Sequence, residues 1–231
     1  PVIIISARVD ASESGVIFKI DQDRNLDGYQ PGVEWSQSTA NNEVIPEYVM
    51  AYSLSNLYSS TDIRKTAYTS ILADVDGDIY NAITKMYGET GQQNGSVDAK
   101  VIRAAEVALN KAEAHAMLGQ DAEALAALDE LKSKRYAGFT SGGETGAALI
   151  AEIKLQRRLE LFAEGHRLFD LKRWNEGISR SATDGEFFDG TGTPVPAAFL
   201  NLAAGSDLFQ MPIPQSEINV YPEFQQNPGY N

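Results

Sequence analysis

The sequence predicts a mainly α-helical fold: a close helical pair plus a long helix, with irregular loops and a few short strands. Three observations carry that prediction. Small and apolar residues recur at three-to-four spacing from Asp98 to Leu131, which puts them on one helical face. Gly119 and Asp121 interrupt the run as a helix stop followed by a helix start. A further stretch with the same period spans Ala147–Trp174.

In chain order, Val2–Ile5 is β-branched and Val16–Ile20 follows the Ser14-Gly15 break, so both read as extended. Residues 21–45 are polar, glycine-containing and irregular, and include Trp35. Glu47–Leu57 has helical spacing, with Tyr48, Tyr52 and Leu57 near one face. Residues 59–97 mix short apolar runs with Asp/Gly punctuation, predicting loops and short strands. Charge and glycine content change near residue 97. The expected division is a loop-rich, partly β region over 1–97, holding candidate ligand-binding loops, and a helical region over 98–231.

The first helix is expected over Asp98–Leu118, with Val101, Ala105, Ala108, Ala112 and His115/Ala116 on its face and Gly119 as C-cap. Asp121 is expected to N-cap the second, whose face is Ala124, Leu125, Leu128 and Leu131. Residues 137–146 form a linker. The long third helix carries Ile150, Ile153, Leu159, Phe162, Phe169 and Leu171 as core. Residues 178–207 are Gly/Ser/Thr-rich and include Phe187-Phe188. From Leu208 onward, four prolines in 24 residues predict an extended tail wrapped over the body.

Composition narrows the function. The 231 residues carry 19 Lys+Arg against 32 Asp+Glu, a net charge of −13, so no basic face is expected for nucleic acid or an anionic membrane. With no cysteine, disulfides, thiolate zinc sites and cysteine nucleophiles are excluded. Pro1 opens the chain, and the apolar run Val2–Ile5 is too short for a signal-peptide core or a membrane span. Any export signal or lipid anchor would lie upstream.

Residues 112–128, with alanines that let two antiparallel helices approach closely around a Leu-Gly break, resemble a tetratricopeptide repeat. Two further stretches carry a family signature: residues 156–174 (QRRLELFAEGHRLFDLKRW), and residues 211–218 (MPIPQSEI) followed by 226–230 (QNPGY). In this order at the C-terminal end they resemble the SusD/RagB family of Bacteroidetes outer-membrane lipoproteins. The resemblance is specific over 98–231 and looser over 10–97, and it makes this the C-terminal part of the family's length. It implies a SusD-like fold and a surface-exposed, non-catalytic glycan-binding protein of the cell outer membrane. Such a protein would deliver oligosaccharides to a SusC-type TonB-dependent transporter. A carboxylate-dependent glycoside hydrolase and a protein-interaction scaffold without sugar binding are the alternatives.

Within the signature, Arg158, Glu164, Gly165, His166, Arg167, Asp170, Arg173 and Trp174 read as structural. On one helix, His166–Asp170, Arg167–Asp170 and Asp170–Arg173 are spaced to pair, in a buried or half-buried polar network tying the helix to the proline-rich tail. Gly165 inside that helix points to close backbone contact. A catalytic reading would make His166 a general base oriented by Asp170.

Residues 23–34 match the twelve-residue calcium-loop pattern, with Asp23, Asn25, Asp27 and Glu34 as oxygen ligands and Gly28 at the turn, so Ca2+ is a possible cofactor. The strand-like segment before it and Pro31-Gly32 within it favour an ordinary Asx-rich turn. Asp74, Asp76 and Asp78 repeat the theme more weakly. A neutral sugar site needs aromatic faces to stack on pyranose rings. Trp35, in a polar loop, is the first candidate platform, with Tyr29 and Tyr58 behind it. Serine-hydrolase, zinc-protease, P-loop and dinucleotide motifs are absent from the sequence.

Overall fold

A computed structural model describes residues 15–20, 48–73, 79–86, 97–184 and 194–230. The elements are β1 (Val16–Ile20), α1 (Tyr52–Ser55), α2 (Arg64–Tyr68), β2 (Thr69–Ala73), β3 (Ile79–Ile83), β4 (Ala99–Arg103) and α3 (Ala104–Met117). They continue with α4 (Asp121–Lys132), α5 (Gly146–Glu160), α6 (His166–Trp174), β5 (Ile178–Ser179), β6 (Asn201–Leu202) and α7 (Gln215–Val220). The strands form three antiparallel pairs, β1–β4, β2–β3 and β5–β6. The fold is mainly α, as the periodicity predicts. No helix among the described residues is long and apolar enough to cross a membrane.

The helical pair forms as the sequence predicts, and α5 packs across it. Ala105, Leu109, Ala112 and Ala116 of α3 meet Ala124, Ala127, Leu128 and Leu131 of α4, with Leu149 and Ile153 of α5. The alanines keep the helix axes close, and the leucines fill what remains. Gly119 ends α3 with φ +72°. The Gly119 N–H donates to Ala116 O at 3.1 Å and the Gln120 N–H to His115 O at 2.9 Å, which makes a Schellman cap. Asp121 does not cap α4; its Oδ2 accepts from the Gly146 N–H at 2.7 Å and so fastens α4 to the start of α5.

A second core joins the segment 50–83 to the end of α5. Met50, Leu54, Tyr58, Tyr68 and Ile83 pack on Leu159, with Phe162 and Ala163 against them. The last turn of α5 therefore faces this cluster, whereas its earlier turns face the helical pair.

Four expectations are corrected. The helix expected from Asp98 begins as a strand: β4 pairs with β1 (Lys19 opposite Lys100, Val16 opposite Arg103), and Val101 is 42% exposed. The β-branched Val101-Ile102 suits a strand as well as a helix, and a partner some eighty residues upstream decides it. The helix expected over Glu47–Leu57 is reduced to the single turn α1, because the chain entering it is bonded to β3, with Met50 N–H donating to Asn81 O at 3.0 Å. The long third helix is broken: α5 ends at Glu160, residues 161–165 turn, and α6 restarts at His166. Beyond the break Phe169 is 69% exposed, not core.

The tail is not a strap over the body. Pro214 precedes α7, and the two parts of the second signature stretch clasp each other. The Gln226 amide accepts from Ile213 N–H (2.8 Å) and donates to Ile213 O (2.9 Å), and Tyr230 Oη donates to Gln210 O (2.8 Å).

Candidate ligand cleft and the polar network beneath it

The break between α5 and α6 rests on buried charge. Glu160, the last residue of α5, is fully buried and accepts from Arg135 twice, Nε at 2.8 Å and Nη2 at 2.9 Å. Arg64 and Arg103 each approach it to 3.3 Å. Arg64 is held in turn by Asp62 (2.7 Å) and Gln156 (2.8 Å). Burial alone would push the Glu160 carboxyl up; the Arg135 hydrogen bonds and the charges of Arg135, Arg103 and Arg64 outweigh it and hold it well below the usual carboxylate range.

One turn on, Glu164 accepts from Lys85 and from Arg103 Nε at 2.7 Å. Lys85 also donates to Glu160 O (3.0 Å) and Phe162 O (2.7 Å), so two of its N–H groups cap backbone carbonyls at and just past the end of α5 and the third meets the Glu164 carboxylate. Burial lowers the Lys85 ammonium to about 8, with the Glu164 charge opposing and Arg103 assisting.

Of the three pairings that the spacing on α6 allows, Asp170–Arg173 forms and the two to His166 and Arg167 do not. Asp170 accepts from Arg157 Nε (3.1 Å) and Arg173 Nε (2.9 Å). Glu113 of α3 takes Arg173 Nη2 (2.7 Å) and Trp174 Nε1 (2.8 Å). The Trp174 ring lies between Lys154 Nζ at 4.9 Å and Arg173 Cζ at 4.5 Å. His166 does not pair with Asp170; its Nε2 is 3.9 Å from Glu106 Oε2. Arg167 likewise leaves Asp170 alone, whose oxygens Arg157 and Arg173 occupy. The network ties α6 to α3 and α5, not to the tail. Gly165 is not inside a helix: it precedes α6 with φ +80°, and a Cβ there would meet nothing within 4 Å. Conformation, not close contact, requires glycine at this position.

Above this base opens a recess of about 500 Å³, between residues 49–54, the α5–α6 corner and the strand β5. Leu54, Phe162 and Leu168 supply apolar wall, and Arg158, Arg167 and Arg180 bring guanidinium groups to it. Asp184 stands at one side with both oxygens engaged: Ser53 N–H and Oγ donate at 2.7 Å each, and Ser181 N–H at 3.0 Å. Burial raises the Asp184 carboxyl, but these donors hold it below the usual range.

Tyr58, the one sequence-derived stacking residue among those described, does not line the recess. Tyr58 is corrected: it is 2% exposed, its Oη donates to Leu159 O at 2.8 Å, and the Arg64 guanidinium stands 5.9 Å from its ring centroid, so no sugar can stack there. Trp35 and Tyr29 lie outside the described residues, as do the calcium-loop positions Asp23, Asn25, Asp27 and Glu34 and the weaker trio Asp74, Asp76 and Asp78. Among the described residues no group of acids and histidines is placed to hold a metal ion. The sequence reading missed Arg180, Asp184 and Ser53. Only folding brings them beside Arg158 and Arg167, and none belongs to a motif.

Fold and recess together describe a mainly helical protein with a ligand-sized cleft at a broken helix corner. Residues 80–230 match the sequence profile of the SusD family, and the chain belongs to that family. Its fold is similar to that of a SusD superfamily protein from Bacteroides thetaiotaomicron (23% identity, TM-score 0.74, 94% of this chain and 49% of that one). It is also similar to a SusD-like carbohydrate binding protein from Bacteroides vulgatus (20%, 0.64, 91% and 48%) and to surface glycan-binding protein A from Bacteroides uniformis (22%, 0.53, 78% and 40%). At these identities the likeness is one of fold. The chain spans about half the length of the first two structures. No curated protein matches it by sequence.

Proposed function

We propose that this chain binds oligosaccharide at the surface of the outer membrane and passes it to a SusC-type TonB-dependent transporter, without chemistry on the sugar. Membership of the SusD family over residues 80–230 is the observation that carries the reading. Two of its structural neighbours are described as carbohydrate binding and surface glycan-binding. The recess supports it physically. Saccharides bind in concave sites where a few directed polar groups meet apolar surface, and about 500 Å³ with Ser53 and arginines beside Leu54 and Phe162 meets that description. Trp35 and Tyr29 remain the proposed stacking platforms.

The test is calorimetric titration against neutral and acidic oligosaccharides, with Trp35→Ala run alongside and an assay for new reducing ends. Binding without new reducing ends supports the reading, and loss of binding in the variant identifies the platform. New reducing ends from a bound polysaccharide would replace it with a glycoside hydrolase. Binding to none of the sugars, with a transporter or other protein partner still captured, would leave a scaffold.

A further inference from the structure

The described lining of the recess has the opposite charge sign to the molecule. Among the described residues it holds four arginines and one histidine against two aspartates, in a chain of net charge −13. Both aspartates are committed elsewhere: Asp170 to Arg157 and Arg173, and Asp184 to Ser53 and the Ser181 amide. Arg157 is engaged by Asp170 and Asn110. Arg158, Arg167 and Arg180 are left with no side-chain hydrogen bond or ion pair to any described residue.

Arg158 comes from α5 and Arg167 from α6, and both line the recess. Burial, and after it the Arg158 charge, pushes the Arg167 guanidinium below its ordinary pKa, with Glu176 and Asp170 opposing only in part. Two like charges converging beside a partly desolvated wall are relieved by an anion placed between them. The planar guanidinium fork matches a carboxylate or sulfate in two-point contact. Leu54, Phe162 and Leu168 offer apolar surface for the carbon face of a pyranose ring.

We propose that this recess binds an acidic saccharide, its carboxylate or sulfate held by Arg158 and Arg167 from the helix corner and Arg180 from the β5 side. The proposal rests on the glycan-binding reading and names the class of sugar. A net-negative chain slows the approach of such a ligand at long range, so the attraction is local and carried by these three side chains.

Matched pairs test it by calorimetric titration of the whole chain: an oligogalacturonate against its methyl ester, and a sulfated galacto-oligosaccharide against its desulfated form. Arg158→Gln and Arg167→Gln are compared with Lys111→Gln, an exposed charge on α3 outside the recess. Each variant is melted first, and unchanged melting is expected for side chains with no hydrogen bond or ion pair among the described residues. The expected result is that one acidic form binds ~10-fold or more tightly than its neutral counterpart, that either arginine variant removes most of that margin, and that Lys111→Gln does not. The pair that shows the margin distinguishes carboxylate from sulfate. Equal binding of acidic and neutral forms, or an equal loss in Lys111→Gln, overturns the proposal and leaves glycan binding standing. If no sugar of either kind binds, both readings fall.

Discussion

Glu160 is a fully buried acid with three arginines around it, and its neighbours define what each change there would do. A buried pair keeps its stability only while both charges are present, because removing one strands the other in a poorly solvating interior. Glu160→Gln keeps the shape and deletes the charge, leaving Arg135, Arg64 and Arg103 facing an amide. The expected cost is ~3–5 kcal/mol, read as a lower urea midpoint at unchanged slope. A cost below ~0.5 kcal/mol would mean that water already shares those guanidiniums. Lys85 gives the pH dependence. Its folded value is lowered from 10.5 to about 8, so over that interval the unfolded chain holds a proton that the folded chain has released. Stability contributed by this group therefore rises with pH from about 8, until tyrosine ionisation near 10 opposes it, since burial raises Tyr58 and Tyr68. Denaturation midpoints between pH 8 and 10 should climb in the native chain and stay flat in Lys85→Met. The carboxylates act at the other end. Glu160, Glu164 and Asp184 are depressed, so their contribution is present above the ordinary carboxylate range and is lost as pH falls through their lower folded values. None of this was legible in the sequence, where Arg64, Lys85, Arg103 and Arg135 look like ordinary surface charge.

At the scale of elements, periodicity was sufficient wherever one face meets one partner. The α3–α4 pair follows from Ala105, Ala112, Ala124 and Leu128, and its Schellman turn from Gly119. Periodicity failed at β4, where β-branched residues fit either structure, and at the α5–α6 corner, where the same spacing continues straight through a break. The break depends on two left-handed residues, Ala163 at φ +61° and Gly165 at φ +80°. No periodic pattern records a sign of φ. The two positions make opposite predictions. Gly165→Ala meets no steric obstacle, so its expected cost of ~1–2 kcal/mol is conformational alone. Ala163→Gly relieves the same strain and should be neutral or stabilising by up to ~1 kcal/mol, despite glycine's greater freedom when unfolded. Denaturant midpoints of the two single variants check both signs. A stabilising Gly165→Ala would show that α5 and α6 prefer to run on as one helix, the arrangement the spacing suggests.

At the scale of the molecule, the composition change near residue 97 coincides with dense contact across it. β1 pairs with β4, and the backbone of residues 61–63 pairs with that of 135–137, through Ile63 N–H to Arg135 O and Ala137 N–H to Thr61 O at 2.9 Å each. Arg64 and Lys85 reach forward to Glu160 and Glu164. These links join residues far apart in sequence, which is why a local reading could see the helices and not what they rest on. The two cores make unequal demands on α5. The helical-pair core is built from α3, α4, the first turns of α5 and Leu161 just past its end, whereas Leu159 and Glu160 are covered by Tyr58, Tyr68 and Arg64 from the earlier segment. A fragment of residues 98–231 keeps the first environment and loses the second, so it should stay helical in part and fray at the corner. Hydrogen exchange separates the two outcomes. In the full chain, amides from Ile153 to Leu161 should exchange as slowly as those of α3. In the fragment, protection should persist at Leu109 and Leu128 and fall at least ~10-fold at Leu159 and Glu160, since opening there no longer breaks the contacts with Tyr58, Arg64 and Tyr68. Equal protection in both would show that the α5–α6 corner holds its shape unaided. The corner that forms one wall of the recess would then be a property of the helical region alone, built without the network that Arg64 and Lys85 complete.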